Sequence, residues 1–241
     1  MGNIFKVFLS LSALTVLSSC DVFLAKNDDG FECESNLEKV YEKTSLNNFE
    51  QTKFKDLLAN RFPKYREMFE QASTKTTIDS DLLAAISFQE SQWDPRAKSN
   101  MGVRGMMMVT LETAAIVGVE KRLNPEQNIK GGAKYFAMLQ EKNKIGPTDP
   151  DKLSITLASY NLGPTNIFNI ANSIDKEIEN VSWVEISKQL KTIKGSELNL
   201  TDKDNYTRGQ QAIDYVERVK NYYQLLSAHS CIAPRDQLIF F

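Results

Sequence analysis

Glu90 lies in the stretch LLAAISFQESQWDP, residues 82–95, in line with Leu83, Ile86 and Trp93 at spacings i, i+3, i+7 and i+10. That is one face of a 3.6-residue helix. A carboxylate on an apolar face finds a partner, stays protonated or does chemistry. On the helix alone these readings stay open. What the chain lacks narrows the chemistry. His229 is its single histidine, in a polar C-terminal SAHSC, so Ser-His-Asp, Cys-His and multi-histidine metal mechanisms have almost no material. A zinc site from Cys33, Cys231 and His229 wants a fourth ligand and the usual spacing. No metal and no cofactor is expected, and catalysis has to run on carboxylates, hydroxyls or amides.

Glu90 also has company. Ser91 follows it directly, then a Gly-flanked loop leads to Gly105-Met106-Met107-Met108. Ala158-Ser159-Tyr160-Asn161 closes a later helical stretch, and Arg208-Gly209-Gln210-Gln211 opens the last one. Neither neighbouring acid reads as a second catalyst. Asp94 precedes Pro95 and reads as a turn residue, and Glu112 sits in a first helical turn, where it complements the helix dipole.

The elements that must position these groups read as helix after helix from about Phe54 onward. Asp79 is the N-cap of the Glu90 helix, and Pro95 stops it. Thr110 caps a short helix. Asn124 with Pro125 starts a longer one, in which Gly131-Gly132 point to close packing against another backbone. Gly163-Pro164 ends the helix that carries Tyr160. A long terminal helix has Ala212, Tyr215, Val216, Val219, Tyr222 and Leu226 as its apolar stripe. No alternating run is long enough for a convincing strand, although residues 96–108 and 191–206 leave room for short β pieces.

The ordered set ES, GVRGMMMVT, NPEQNIKGGAKYF, ASYNLG and RGQQAIDYV resembles the catalytic domain of the soluble lytic transglycosylase family over roughly residues 63–227. Met108 stands where most members have glutamine. The Met-Met pair after VRG resembles the membrane-bound lytic transglycosylase F branch, without the solute-binding-type domain which that branch carries ahead of its catalytic one. The resemblance implies an all-α, goose-type-lysozyme-like single catalytic domain. It implies cleavage of the β-1,4 bond between N-acetylmuramic acid and N-acetylglucosamine in peptidoglycan, without water, to give 1,6-anhydro ends. Glu90 would serve first as acid and then as base, and Tyr160 would hydrogen-bond it. Ser91, Met107, Asn161 and Gln211 would meet the glycan, Met107 as groove lining. Arg96, Lys98 and Arg104 read as a solvated basic loop that could meet stem carboxylates. The alternatives are a muramidase-type hydrolase using the same acid and a non-catalytic peptidoglycan-binding lipoprotein.

The rest of the chain fits that reading. It has 241 residues, 41% apolar and 25% charged, with a formal charge of -2, which fits one globular domain and gives no charge signal for nucleic acid. Residues 1–19 read as a signal peptide with an apolar stretch too short for a comfortable membrane span. Leu17-Ser18-Ser19-Cys20 looks like a bacterial lipobox, which makes Cys20 the lipid-bearing residue. The layout is then a lipidated tether over 20–50, a catalytic domain over 51–229 and a tail over 230–241. In an exported chain Cys33 and Cys231 are candidates for a disulfide. The expected place is the bacterial envelope, anchored and facing the periplasm, with glycan strands and the membrane as partners.

Overall fold

The computed structural model of the protein describes residues 37–192 and 207–232. Cys20 and Cys33 lie outside the described residues, and with them the anticipated lipidation and the Cys33–Cys231 pair. Among the described residues all regular structure is helical, apart from isolated antiparallel bridges of Lys98 to Arg104 and Arg104 to Val109. The β pieces anticipated within 96–108 are those bridges.

The first helix, α1, covers residues 37–43. It is followed by α2 (Asn48–Asn60), a 3-10 turn (Phe62–Lys64), α3 (Arg66–Thr76) and α4 (Ser80–Ser91). Then come α5 (Leu111–Val117), α6 (Pro125–Lys142), α7 (Asp149–Leu162) and α8 (Pro164–Asn172). A 3-10 turn (Ile178–Asn180), α9 (Trp183–Thr192) and α10 (Arg208–Ile232) complete the described chain. Folded structure begins ahead of position 51, since Tyr41 and Leu46 are buried.

Local chemistry accounts for the starts. Asp79 Oδ1 accepts from the amides of Asp81 and Leu82. Thr110 Oγ1 accepts from Thr113 N, and Asn124 Oδ1 from Gln127 N with Pro125 in the first turn. Asn47 and Glu50 form a reciprocal capping box at α2.

Five helices close a circuit: α3 packs on α4, α4 on α10, α10 on α7, α7 on α6, and α6 back on α3. Within it α4 is enclosed over most of its length, and every residue from Leu82 to Phe88 is buried. It ends at Ser91, earlier than Pro95 would dictate, because Gln92 and Trp93 both take left-handed backbone (φ 55° and 58°). Trp93 is therefore not on the helix face. It folds back into the core, where its Nε1–H donates to Ala84 O at 2.9 Å and its ring packs 4.7 Å from both Phe62 and Phe88.

Candidate active site

Glu90 sits one residue from the end of α4, against α10. Part of its side chain reaches the surface, yet dense protein surrounds the carboxyl. Burial raises its pKa from the ordinary 4.5 to about 7, and the Tyr215 hydroxyl, which donates to Glu90 Oε1 at 2.8 Å, works in the other direction. No other carboxylate among the described residues enters that balance. Tyr215 is buried, so its phenol is held well above its ordinary pKa, further raised by the charge of Glu90. It stays a donor at any working pH. With Oε1 engaged, Oε2 is the oxygen left to carry and deliver a proton.

Tyr215 belongs to the apolar stripe of α10 and is absent from the expected site residues. The signal that could have found it is chemical: a buried phenol needs a partner for its hydroxyl, and an acid on an apolar face needs a donor. Tyr160, expected on Glu90, bonds elsewhere. Its hydroxyl donates to Met107 O at 2.8 Å, while its ring rests 5.6 Å from Tyr135 and 6.1 Å from Phe136. The reason is placement, since α4 presents Glu90 to α10, while Tyr160 on α7 reaches across to the loop after α4. Tyr160 still lies within the field of Glu90, whose charge adds to the burial that raises the phenol's pKa.

The loop of residues 94–109 is held by hydroxyls, by the side-chain amide of Asn128 and by the Arg122 guanidinium, which donates to Gly102 O and Val109 O. Ser91 Oγ donates to Ser87 O at 3.1 Å and to Met106 O at 2.8 Å, and Ser87 Oγ donates to the same Met106 O at 3.1 Å. Asn128 on α6, fully buried, accepts from Met107 N at 2.7 Å and donates to Arg104 O and Arg122 O. Gly105 turns the chain at φ +85°, where a Cβ would come within 2.2 Å of Arg122 O. Ser91 is thus a loop anchor as well as a helix-end bond.

Met107 does not line a groove. It is fully buried, and its side chain fills the space that the missing Cβ of Gly132 leaves, 2.6 Å from where that atom would stand. Met108, at φ 46°, is the partly exposed methionine of the three, because the turn from Gly105 reverses the side-chain directions. The glycine pair of α6 admits side chains rather than a backbone, Gly131 meeting Val119 and Gly132 meeting Met107.

Asn161 Oδ1 is buried and has no hydrogen-bond partner among the described residues, and Asn161 does not cap α7, whose C-cap is Gly163. Gln211 lies one turn before Tyr215 on α10 and accepts from Arg208 at 2.7 Å. Asp94 Oδ1 accepts from Arg96 N at 2.9 Å, the turn role expected of it. Arg96 and Lys98 are exposed on the same loop. Chemically, the arrangement offers one acid poised near neutrality, two phenols that stay protonated and an unpaired amide oxygen.

Residues 67–182 match the family model described as Transglycosylase SLT domain. The chain is similar to the membrane-bound lytic murein transglycosylase F 2 of Alkalilimnicola ehrlichii, with 37% identity over 172 residues, covering 70% of this chain and 38% of that protein. Its similarity to the membrane-bound lytic murein transglycosylase F of Saccharophagus degradans is 38% over 175 residues, covering 72% and 35%. The chain thus spans little more than a third of the length of these curated relatives. Among solved structures it shares its fold with the lytic transglycosylase Slt of Pseudomonas aeruginosa, solved as an inactive mutant. That likeness has a TM-score of 0.51 at 16% identity, over 73% of this chain and 26% of that one. The lysozyme-like, all-helical class follows from it.

Proposed function

Given that this chain belongs to the transglycosylase SLT family through its domain at residues 67–182, we propose that it is a peptidoglycan lytic transglycosylase. The observation that carries the reading is Glu90, an acid poised at about 7 by burial against one tyrosine bond, with no carboxylate partner among the described residues. A hydrolase that retains or inverts configuration by the usual route needs a second carboxylate. An intramolecular transfer does not.

The steps follow from the groups present. Protonated Glu90 gives its proton from Oε2 to the glycosidic oxygen as the C1–O bond breaks, and the leaving chain departs with a hydroxyl. The acetamido oxygen of the muramic sugar stabilises the electron-poor C1. Glu90, now a carboxylate, takes the proton of that sugar's C6 hydroxyl, and O6 closes on C1. The 1,6-anhydro ring forms, Glu90 regains its proton, and no water is consumed. Tyr215 holds Oε1 throughout. Tyr160 acts through the Met107 carbonyl as a positioning residue for the cleft. Asn161 Oδ1, lacking a partner in the free protein, would accept the acetamido N–H. Ser91 contributes by fixing the loop, and Gln211 borders the cleft one turn from Tyr215.

The protein acts at the envelope, held by lipid on Cys20. That anchoring is supported by the lipobox sequence, and no helix among the described residues is long and apolar enough to cross a membrane. Cys20→Ser should move the protein from the membrane pellet to the soluble fraction. Activity is tested by mass spectrometry of purified wall digested by the wild type beside Glu90→Gln. Anhydromuramyl ends, lighter by one water than hydrolysed ends and missing with Glu90→Gln, are the expected result. Reducing muramic ends would mean a hydrolase instead. Tight wall binding with no released fragment would leave only a binding protein.

A further inference from the structure

A cavity of about 390 Å³ lies away from Glu90. It opens between α3, the end of α5 and the outer face of α6. Its floor is apolar, made by Val117, Val119 and Gly131. Its rim carries Lys75 from α3 with Lys130 and Lys134 from α6, all exposed, and no carboxylate lines it.

Two of these lysines oppose each other. Lys130 faces Lys75 closely enough that, by direct contact and by charge, it lowers the Lys75 pKa below the ordinary lysine value. Glu126, outside the lining and 4.0 Å from Lys130, only partly offsets this. Three like charges gathered over an apolar floor are complementary to a ligand with an apolar body and carboxylate oxygens at its end. The volume falls within the range of sites for small ligands and short peptides, and its concavity is unsuited to a flat lipid surface. A chain of net charge -2 offers nothing to an extended polyanion.

Resting on the peptidoglycan reading above, we propose that this cavity binds the peptide stems of the wall polymer through their carboxylates, a second foothold apart from the cleavage site. One helix serves both places. Gly131 of α6 meets Val119 in the cavity wall, and the next residue, Gly132, meets Met107 under the catalytic loop.

The test titrates a synthetic stem tripeptide, free of sugar, into the full chain in detergent, read by calorimetry and by backbone amide shifts. Binding should move amides at 75–76, 117–119 and 127–134. The triple variant Lys75→Gln, Lys130→Gln, Lys134→Gln should weaken it about tenfold or more. On intact wall the variant should raise KM and leave kcat unchanged. No binding, binding untouched by the triple variant, or shifts confined to the neighbourhood of Glu90 would overturn the proposal. So would inorganic phosphate displacing the tripeptide with equal affinity, which would reduce the cavity to a general anion site. Failure of the enzyme reading is seen separately, as absence of cleavage products from wall treated with the wild type, and leaves the tripeptide titration to decide the cavity.

Discussion

Two opposed effects set the proton affinity of Glu90: burial holds the proton on, and the Tyr215 hydroxyl stabilises the ionised form. Tyr215→Phe removes the second effect alone. In the proposed mechanism the first step needs protonated Glu90, so activity should fall as pH rises through about 7, and in Tyr215→Phe this descending limb should move to higher pH in a profile of kcat/KM. Tyr160→Phe should lower kcat with a much smaller displacement of the limb, since its bond goes to Met107. Glu90→Gln should cost about a hundredfold or more in rate, the range for loss of a general acid. The same change should stabilise the fold. The folded pKa lies above the unfolded value, so the favourable contribution is complete below about pH 4.5 and lost as pH rises through 7. Urea denaturation at pH 8 should find Glu90→Gln more stable by up to about 3 kcal/mol, with the gap closing below pH 5. Glu90 itself was legible in the sequence, because a carboxylate in a leucine register stands out against helical periodicity. Its partner was not. Tyr215 and Tyr160 each look like ordinary aromatic members of a helix, and only the packing of α4 on α10 decides which hydroxyl meets the acid.

At the level of elements, one short turn after the Glu90 helix is gripped from three sides. Residues 105–108 are tied to α4 by Ser87 and Ser91, to α6 by Asn128 and to α7 by Tyr160. Asn128→Ala strips three bonds from buried backbone groups at once and should cost about 2–4 kcal/mol in chemical denaturation, more than a single ordinary hydrogen bond. Gly132→Ala places a methyl inside Met107 and should cost about 1–3 kcal/mol by overpacking. It should also lower kcat, because Met107 carries the carbonyl that Tyr160 holds. Helix starts were readable one by one, at Asp79, Thr110 and Asn124, because a cap is a bond between residues two or three apart. The end of α4 was not. Pro95 advertised a stop, while the actual stop is made by two consecutive left-handed residues, Gln92 and Trp93, that bring the indole to Ala84 O. Their conformation is maintained by tertiary burial of the ring, which periodicity does not encode. Met107 was misplaced as groove lining, since it packs fully buried against Gly132 and only Met108 of the three consecutive methionines, at φ 46°, is partly exposed.

Across the whole molecule, α10 connects Glu90 to the far end of the fold. It carries Tyr215 to Glu90, packs Gly209 against Leu190, pairs Arg218 with Glu50 of α2 at 3.1 Å, and brings His229 within 2.9 Å of the Tyr41 hydroxyl on α1. The all-helical class was legible from composition and periodicity, but this long-range tie was not, since Tyr41 and His229 lie 188 positions apart. Burial, helped by the charge of Lys55, lowers the His229 pKa from 6.5 to about 4. That group has the opposite sense from Glu90: its unfolded form binds more protons, so its contribution to stability grows as pH rises between about 4 and 6.5. Between about pH 4.5 and 6.5 the unfolded chain holds its proton on the histidine and the folded chain holds it on the glutamate. For these two groups folding therefore relocates one proton without taking up or releasing any, and their combined contribution to thermal midpoints should be level from pH 5 to pH 6. Glu90→Gln should make them climb with pH and His229→Gln should make them fall. This exchange lets the chain keep Glu90 half-charged near neutrality without making its fold hostage to mild acid.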